Sequence, residues 1–327
     1  MGTIGIIANP ASGKDVRRLV ARASVFDNQE KQAIVRRVIV GLVAAGADEV
    51  AYLDDRHGIV RMALEDARAP LRSTAVAATE MANALDTISA ARALKDVGCD
   101  VVITLGGDGT NRAFTLGWRD APLIPMSTGT NNVFPMLVEA TIGGAAAGLI
   151  ATGKVSIEEV SSQHKVIQVA VEGEREDVAL IDAVLSSERF VGARALLAPE
   201  QLQLALLTRA DPAAVGMTAI GGLLTPLSDK AEFGLLLELG GEDGGDRVTA
   251  PIAPGYYREV QVRSHRLVNF VEEITVQGPG VLAFDGERER VLKRGQRAMF
   301  SLSRSGPWVV DVKKTLHLAA EKGCFTR

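Results

Sequence analysis

The sequence predicts an α/β protein in which a doubly wound parallel-sheet domain is followed by a β-rich second domain. Over roughly the first 150 residues, apolar strand-like runs alternate with helix-like segments, an order that favours parallel strands joined by helices. Farther along, short strand-like runs follow one another with Gly- and Asp-rich turns between them. Hydrophobic residues make up 47% of the chain but aromatic residues only 4%, which is typical of close helix–sheet packing rather than of an aromatic-rich β-sandwich.

The elements of the first domain follow from its apolar periodicity. Its predicted strands are short apolar runs that end in turn-forming residues, at positions 4–8, 50–53, 74–78, 101–104 and 122–126. Apolar residues recur at helical spacing between these strands, and the predicted helices cover 34–42, 59–67 and 81–95. A strand followed by a helix is thus repeated along this half of the chain.

The pattern changes near Gly153 and Lys154. The strand-like runs beyond that point lie at 166–171, 178–185, 202–207, 233–239, 258–262, 273–276, 281–284 and 298–302. We therefore assign residues 1–154 to the first domain and residues 155–305 to a β-rich substrate domain. The last residues, about 306–327, are expected to return to the first domain.

Composition excludes several classes of protein. The net charge of −4 provides no basic excess for binding nucleic acid. Cys99 and Cys324 have neither metal-site spacing nor a disulfide framework, so both are expected to be reduced thiols in a cytoplasmic protein. No apolar run approaches the roughly 18 residues of a membrane span, and the first residues lack the pattern of a signal peptide. We also expect a homo-oligomer.

The most informative segment is residues 106–110, Gly-Gly-Asp-Gly-Thr, which follows a predicted strand and precedes a helix-compatible segment. Glycines allow a bulky anion to approach the backbone, and the N–H groups at a helix start favour phosphate. Asp108 beside phosphates requires an intervening Mg²⁺ or a role as a proton acceptor. The structural alternative is a tight turn in which Asp108 or Thr110 caps the helix.

Four further segments resemble motifs of one enzyme superfamily. Residues 106–110 are similar to the signature that NAD kinases share with diacylglycerol and sphingosine kinases. The other matches occur in the order of that superfamily: Asn-Pro-Ala-Ser-Gly-Lys at 9–14, Gly-Thr-Asn-Asn at 129–132, Gly-Met-Thr-Ala-Ile at 216–220 and Asp-Gly-Glu at 285–287. The combination resembles the ATP-NAD kinase-like family, the acetoin catabolism protein X group of the NAD kinase and diacylglycerol kinase superfamily.

This resemblance implies a Rossmann-like first domain and an ATP- and Mg²⁺-dependent kinase that phosphorylates a hydroxyl, nominally that of NAD. Asp108 would be the metal ligand, and Asp108 and Asp285 the catalytic carboxylates, with the base role open between them. The implied ATP-binding residues are Asn9, Ser12, Gly13, Lys14, Gly106, Gly107, Gly109, Thr110, Thr128, Gly129, Thr130 and Asn132. The implied substrate residues are Asp182, Thr218 and Glu287.

The sequence also departs from the superfamily pattern. Lipid kinases have Asp where this chain has Val133, and NAD kinases have Asn before the acidic residue where this chain has Ile181. Met217 and Ile220 replace a hydroxyl residue and a tyrosine of the NAD kinases. Two alternatives therefore stay open: a lipid or small-polyol kinase, and a non-catalytic nucleotide-sensing regulator linked to acetoin catabolism.

Each of these motifs also has a purely structural interpretation. Residues 9–14 could form an Asn-Pro turn with a solvated lysine, and residues 129–132 an Asx turn that caps a helix. Asp285 and Gly286 lie between two strand-like runs, which is a hairpin signal. Asp182 could be a polar residue at a strand end. The occurrence of all the motifs in the expected order favours the functional interpretation.

Overall fold

The computed structural model describes residues 2–12, 27–76, 83–128, 132–187, 198–241 and 244–326. The described residues divide between two compact units. Unit 1 contains the residues up to Gln163 and those from Pro307 onward, and unit 2 contains His164–Gly306. None of the described helices is both long and apolar enough to cross a membrane.

Unit 1 is built on a seven-stranded sheet with the order β3-β2-β1-β4-β5-β18-β6. Its strands are β1 (Thr3–Ala8), β2 (Glu49–Leu53), β3 (Arg72–Val76), β4 (Cys99–Gly106), β5 (Pro122–Ser127), β6 (Ser161–Gln163) and β18 (Trp308–Val310). Its helices are α1 (Asn28–Ala45), α2 (Ile59–Ala67), α3 (Ala84–Val97), α4 (Asp108–Gly117), α5 (Ala140–Ala151), α6 (Ile157–Val160) and α8 (Val312–Glu321). All neighbouring strands pair in parallel except β18 and β6, which are antiparallel.

Helices cover both faces of this sheet. Ile4 and Ile6 of β1 join a core cluster with residues of α1, α2 and α5 on one face. Gly5 points to the opposite face, where a Cβ atom would lie 3.1 Å from the Leu94 side chain of α3. The strand order reverses between β1 and β4, because β2 lies on one side of β1 and β4 on the other. In open α/β sheets of this kind, ligands bind outside the carboxyl ends of the strands at such a switch point.

Unit 2 consists mainly of antiparallel sheets. One has the order β12-β13-β11-β10-β9-β15-β16 and the other β14-β17-β7-β8. Their strands are β7 (Val166–Val171), β8 (Asp177–Ala179), β9 (Asp182–Ser186), β10 (Leu202–Leu207), β11 (Phe233–Leu239), β12 (Asp246–Ala253), β13 (Tyr256–Asn269), β14 (Ile274–Gln277), β15 (Gly280–Phe284), β16 (Glu287–Leu292) and β17 (Arg297–Ser303). Helix α7 (Met217–Leu224) packs on β10 and β12.

The larger sheet of unit 2 is covered on both faces. Leu206 and Leu236 point into a core cluster shared with the four-stranded sheet. Their strand neighbours Leu207 and Leu235 point to the other side, into a cluster that includes residues of α7 and β12. Successive side chains of a strand alternate between faces, so a strand covered on both sides is apolar throughout. The fold class predicted from the sequence is confirmed.

One predicted strand is wrong. Residues 178–185 form two strands, β8 and β9, which belong to different sheets. The chain leaves the strand conformation at Leu180 and Ile181, whose N–H groups donate to the carboxylate of Asp285 instead of to a neighbouring strand. The apolar run continues across residues 179–181, so the sequence does not predict this break.

Several other elements have bounds that differ from the predicted ones, or were not predicted. Strand β13 extends well beyond the predicted 258–262, and α3 begins at Ala84, after an Asn83 side chain that accepts from the N–H of Leu85. Positions 77, 78, 81 and 82 of the predicted strand and helix lie outside the described residues. Strand β12 and helices α5, α7 and α8 have no counterpart among the predictions.

Candidate functional site

Three loops meet at the carboxyl ends of β1, β4 and β5, which are neighbours in the sheet of unit 1. The first loop (Asn9–Ser12) follows β1, and the glycine turn (Gly106–Thr110) follows β4. The third loop follows β5, and the structure describes its residues Thr128 and Asn132. The first two flank the switch point. This edge is where a doubly wound sheet presents a ligand site.

The glycine turn connects β4 directly to α4. Strand β4 ends at Gly106, Gly107 is the N-cap residue, and Asp108 is the first residue of the helix. Two fully buried side chains brace the turn: Thr104 donates to Asn111 Oδ1 (2.7 Å), and Asn111 Nδ2 donates to the carbonyl oxygen of Gly107 (2.9 Å). The first N–H groups of α4 therefore begin from a fixed position, and a helix start of this kind favours an anion.

Side-chain hydrogen bonds join the first loop to the other two. Asn9 Nδ2 donates to Thr110 Oγ1 over 2.8 Å. The Ser12 and Thr128 hydroxyls form a hydrogen bond of 3.0 Å. Within the loop, Asn9 Oδ1 accepts from the N–H of Ala11 and the Ser12 hydroxyl donates to the Asn9 carbonyl. Asn9, Ser12, Thr110 and Thr128 thus form one connected set.

The third loop contacts the glycine turn as well. The N–H of Thr128 donates to the carbonyl oxygen of Gly106 (3.3 Å), and Asn132 Nδ2 donates to the Ser127 hydroxyl (2.8 Å). A Cβ atom on Gly107 would lie only 2.8 Å from Asn132 Oδ1. A side chain at 107 would therefore have to displace the amide group of Asn132, a contact that the sequence did not reveal.

Asp108 links the glycine turn to the segment after the third loop. Its Oδ1 accepts from the N–H groups of Phe134 (2.7 Å) and Val133 (3.1 Å), and its Oδ2 also accepts from Val133 (3.1 Å). Asp108 is half-buried, as is its neighbour Gly109. The described residues contain no cluster of three or more His, Cys, Asp or Glu side chains suited to a metal. Asp108 belongs to no such cluster within the part of the chain that the structure describes.

Four predicted ATP-binding residues, Gly13, Lys14, Gly129 and Thr130, lie outside the described part of the chain. The remaining eight are brought to this edge of unit 1, together with Asp108. Sequence reasoning missed Thr104 and Asn111, whose side-chain hydrogen bonds brace the glycine turn. It also missed Lys31 of α1, whose ammonium group contacts the first loop. Lys31 is in phase with the apolar stripe of Ile34, Val35 and Val38, and this was the available signal.

Asp285 lies in unit 2, at a two-residue turn between β15 and β16. Asp285 and Gly286 have φ values of +50° and +78°, the left-handed conformation that a type I′ turn requires at both positions. The Asp285 side chain is only 5% exposed. Its Oδ1 accepts from three N–H groups, those of Leu180 (3.0 Å), Ile181 (2.7 Å) and Asp182 (3.2 Å). The carboxylate thereby ties the hairpin to the connection between β8 and β9.

The predicted substrate residues are distributed within unit 2. Asp182 is buried beside Asp285, whose N–H donates to the Asp182 carbonyl oxygen (3.0 Å). Thr218 is 1% exposed in the first turn of α7, and its buried hydroxyl has no hydrogen-bond partner among the described residues. Glu287 is exposed at the start of β16. Asp182 and Asp285 are therefore brought together by direct backbone contact.

The residues that depart from the NAD kinase pattern are apolar and buried. Ile181 is 2% exposed between β8 and β9. Met217 and Ile220 are 2% and 0% exposed, and both belong to the core cluster beneath α7. The side chains of Met217 and Ile220 pack against aliphatic neighbours. These three positions therefore offer hydrophobic contact, and none of the three side chains can recognise a polar group.

Comparisons with known proteins match both halves of the chain. Residues 4–155 match the model of the ATP-NAD kinase N-terminal domain, and residues 165–305 match that of the acetoin catabolism protein X C-terminal domain. The chain is 38% identical over 299 residues to acetoin catabolism protein X of Cupriavidus necator, covering 88% of this chain and 83% of that protein.

A solved structure shares this fold at low sequence identity. Yeast NADH kinase complexed with NADH matches with a TM-score of 0.55 and 12% identity, over 100% of this chain and 88% of the kinase chain. A putative diacylglycerol kinase from Bacillus anthracis matches with a TM-score of 0.47 and 14% identity, over 94% and 97% of the two chains. The first likeness supports a kinase-like fold, and the second is too weak to carry an argument.

Proposed function

This chain belongs to the acetoin catabolism protein X family, and within that family we propose an ATP- and Mg²⁺-dependent kinase-like protein that transfers a phosphoryl group to a hydroxyl. The observation that carries the proposal is the hydrogen-bonded set of three loops at the switch point of unit 1. Phosphoryl transfer asks a protein mainly for positioning and charge neutralisation, with little covalent chemistry. Loops fixed to one another before the nucleotide arrives supply the positioning.

The residues present fit a magnesium ion that is held mostly by phosphate oxygens. Mg²⁺ is commonly bound through one or two carboxylates together with substrate phosphates. Asp108, half-buried at the start of α4, would supply that carboxylate. When bound, the ion neutralises charge on the phosphates. Asp108 is also the candidate in unit 1 for taking the proton of the acceptor hydroxyl.

Asp285 is proposed to support the fold rather than to act as the base. Three backbone N–H groups already occupy one of its oxygens, and the side chain is almost fully buried. A general base must reach the proton that it removes. The sequence left two roles open for Asp285, that of the general base and that of a supporting residue. The geometry favours the supporting role.

The nominal acceptor is NAD, as the name of the matching N-terminal domain model suggests. The buried apolar side chains of Ile181, Met217 and Ile220 argue for a different hydroxyl compound. A lipid or small polyol would retain the chemistry, but no contact among the residues that the structure describes favours either. One other candidate is a non-catalytic nucleotide sensor, which is favoured because backbone N–H groups already bind the carboxylate of Asp285. A regulatory role in acetoin catabolism would suit the name of the relative.

Calorimetric titration with ATP and Mg²⁺ tests the nucleotide site. The parent protein should bind ATP, and Gly107→Val should abolish binding because the new side chain displaces Asn132 and obstructs the turn. Gly143→Ala in α5 is the control, since its Cβ would make ordinary contacts of 3.4 Å or more with the side chains of Met126 and Val138. Equal affinity in a folded Gly107→Val variant would show that the turn is only structural.

Turnover with ATP and a panel of hydroxyl acceptors separates the two candidate functions. A kinase should consume ATP and phosphorylate one member of the panel. A sensor should bind ATP with the same dependence on Gly107 and release no ADP with any acceptor.

A further inference from the structure

Lys31 is a buried lysine at the fourth position of α1. Its side chain is fully buried, which is unusual because an ammonium group loses its hydration there. The helix starts at Asn28 after the N-cap Asp27, whose side chain accepts from the N–H of Glu30. Lys31 therefore lies in the first turns of α1, in phase with the apolar residues that face the sheet.

The ammonium group is directed at the first loop. Lys31 Nζ donates to the carbonyl oxygens of Asn9 (2.8 Å), Pro10 (3.0 Å) and Ser12 (2.7 Å). It also lies 3.3 Å from Asn28 Oδ1 on its own helix. Three of the four carbonyl groups of the loop thus converge on one cation, and hydrogen bonds to a charged donor are stronger than neutral ones.

This contact determines which way the first loop presents its side chains. The carbonyls of Asn9 and Ser12 are held by Lys31, while their side chains reach Thr110 of the glycine turn and Thr128 of the third loop. The same two residues therefore connect the buried cation to both other loops. If the carbonyls rotated away, Asn9 and Ser12 could not maintain these contacts.

An apolar residue at position 31 would serve helix packing at a lower desolvation cost. The lysine is explained by the three carbonyl oxygens of the first loop to which its ammonium group donates. We propose that Lys31 is a positioning residue of the nucleotide site, which fixes the first loop in the conformation that receives the phosphates. This inference rests on the proposed function of the three loops, and it assigns Lys31 no contact with the nucleotide.

The variant Lys31→Met tests the role, because methionine preserves most of the aliphatic stem and removes the charge. Lys165→Met is the matched control. Lys165 is also buried, at 2% exposure, and its Nζ donates to two carbonyl oxygens, those of Ser228 (3.1 Å) and Phe233 (2.7 Å), within unit 2. Both variants should lose stability. Only Lys31→Met should raise the Kd for ATP in Mg²⁺, by at least about tenfold.

Amide hydrogen exchange provides the second measurement, and its first result comes from the parent protein alone. The N–H groups of Ala11 and Ser12, which bond to Asn9 Oδ1 and to the Asn9 carbonyl, should be protected in the parent protein before ATP is added. Protection should be lost in Lys31→Met and retained in Lys165→Met. Free exchange of these amides in the parent protein would overturn the proposal, even if Lys31→Met failed to fold.

The outcomes distinguish this inference from the proposed function. A parent protein that binds no ATP overturns the proposed nucleotide site and, with it, the positioning role. A parent that binds ATP, with an unchanged Kd in folded Lys31→Met, overturns only the role of Lys31. An equal rise of Kd in Lys165→Met would show that the effect follows from lost stability and would also overturn it.

Discussion

Asp108 combines two tasks at the scale of a single residue. Its carboxylate accepts the N–H groups of Val133 and Phe134, and it stands at the first position of α4, where negative charge is favourable. An amide in its place could still accept both N–H groups through one oxygen. The charge and the side-chain hydrogen bonds can therefore be separated by experiment.

We predict that Asp108→Asn keeps the fold and loses turnover. Activity with any acceptor that proves to be a substrate should fall roughly 10²–10⁴-fold, the range for removing a positioned acid–base group. Asp100→Asn is the control, because Asp100 lies on β4, the strand that leads into the glycine turn, and its carboxylate accepts the N–H of Thr3 (2.8 Å). Steady-state kinetics on both variants, with circular dichroism to verify folding, make the comparison. Undiminished turnover in Asp108→Asn would remove the catalytic assignment.

His164, at the start of unit 2, predicts a pH dependence of stability. Burial lowers its pKa to about 4, although Asp229 lies 3.6 Å away and opposes the shift, while Arg209, Arg304 and Lys165 add to it. Between pH 6.5 and 4 the unfolded chain binds a proton that the folded chain does not. The free energy of unfolding should therefore decrease as the pH falls through this window.

The variant His164→Gln should lack this part of the pH dependence. The difference between parent and variant across the window should approach about 3 kcal/mol, from a shift of roughly two pKa units or more. Urea unfolding at a series of pH values measures it, with His57→Gln as the comparison because His57 is exposed on the surface. Parallel curves for the parent and His164→Gln would contradict the assignment.

At the scale of elements, the β15–β16 hairpin depends on Asp285 for its attachment to the sheet connection. Asp285→Ala leaves three buried N–H groups without their acceptor, so the free energy of unfolding should fall by about 3 kcal/mol or more. Asp285→Asn should lose less, because asparagine retains an acceptor oxygen and Asn-Gly also favours a type I′ turn. Denaturant unfolding of both variants measures which of them loses more of the free energy of unfolding.

The same pair of variants examines the role of the carboxylate. If Asp285 supports the fold, Asp285→Asn should keep most of its turnover and its affinity for ATP. A stable Asp285→Asn protein whose turnover falls a hundredfold or more would instead identify Asp285 as the base.

Helix α5 shows why some elements could not be predicted. Its sequence contains three glycines, which disfavour a helix. In the structure it packs closely on α1: a Cβ atom on Gly144 would lie 2.1 Å from the carbonyl oxygen of Val38, and one on Gly41 2.0 Å from that of Thr141. Glycine is required where two helix backbones approach this closely, despite its poor helix propensity. Only the packing partner explains it, and the partner is distant in sequence.

At the scale of the whole molecule, the sequence predicted the fold class and the family, and both are confirmed. Apolar periodicity depends on local geometry, and turn residues at strand ends are local signals as well, so the loops after β1, β4 and β5 could be identified. The contacts among those loops could not. Asn9 and Thr110 are 101 residues apart, and their hydrogen bond follows from adjacent parallel strands.

The choice of phosphoryl acceptor is a property of the whole chain. NAD should be a poor acceptor, because Ile181, Met217 and Ile220 present buried apolar side chains where the NAD kinases have polar ones. A polar group left unpaired costs about 1–3 kcal/mol, or roughly 5- to 150-fold in affinity for each lost partner. ATP should therefore bind while NADP forms slowly or not at all. The measurement is NADP formation at saturating ATP and Mg²⁺, with NAD varied to the millimolar range and ADP release without acceptor as the baseline. Efficient conversion with a micromolar KM would instead establish a plain NAD kinase, with recognition groups supplied from other positions.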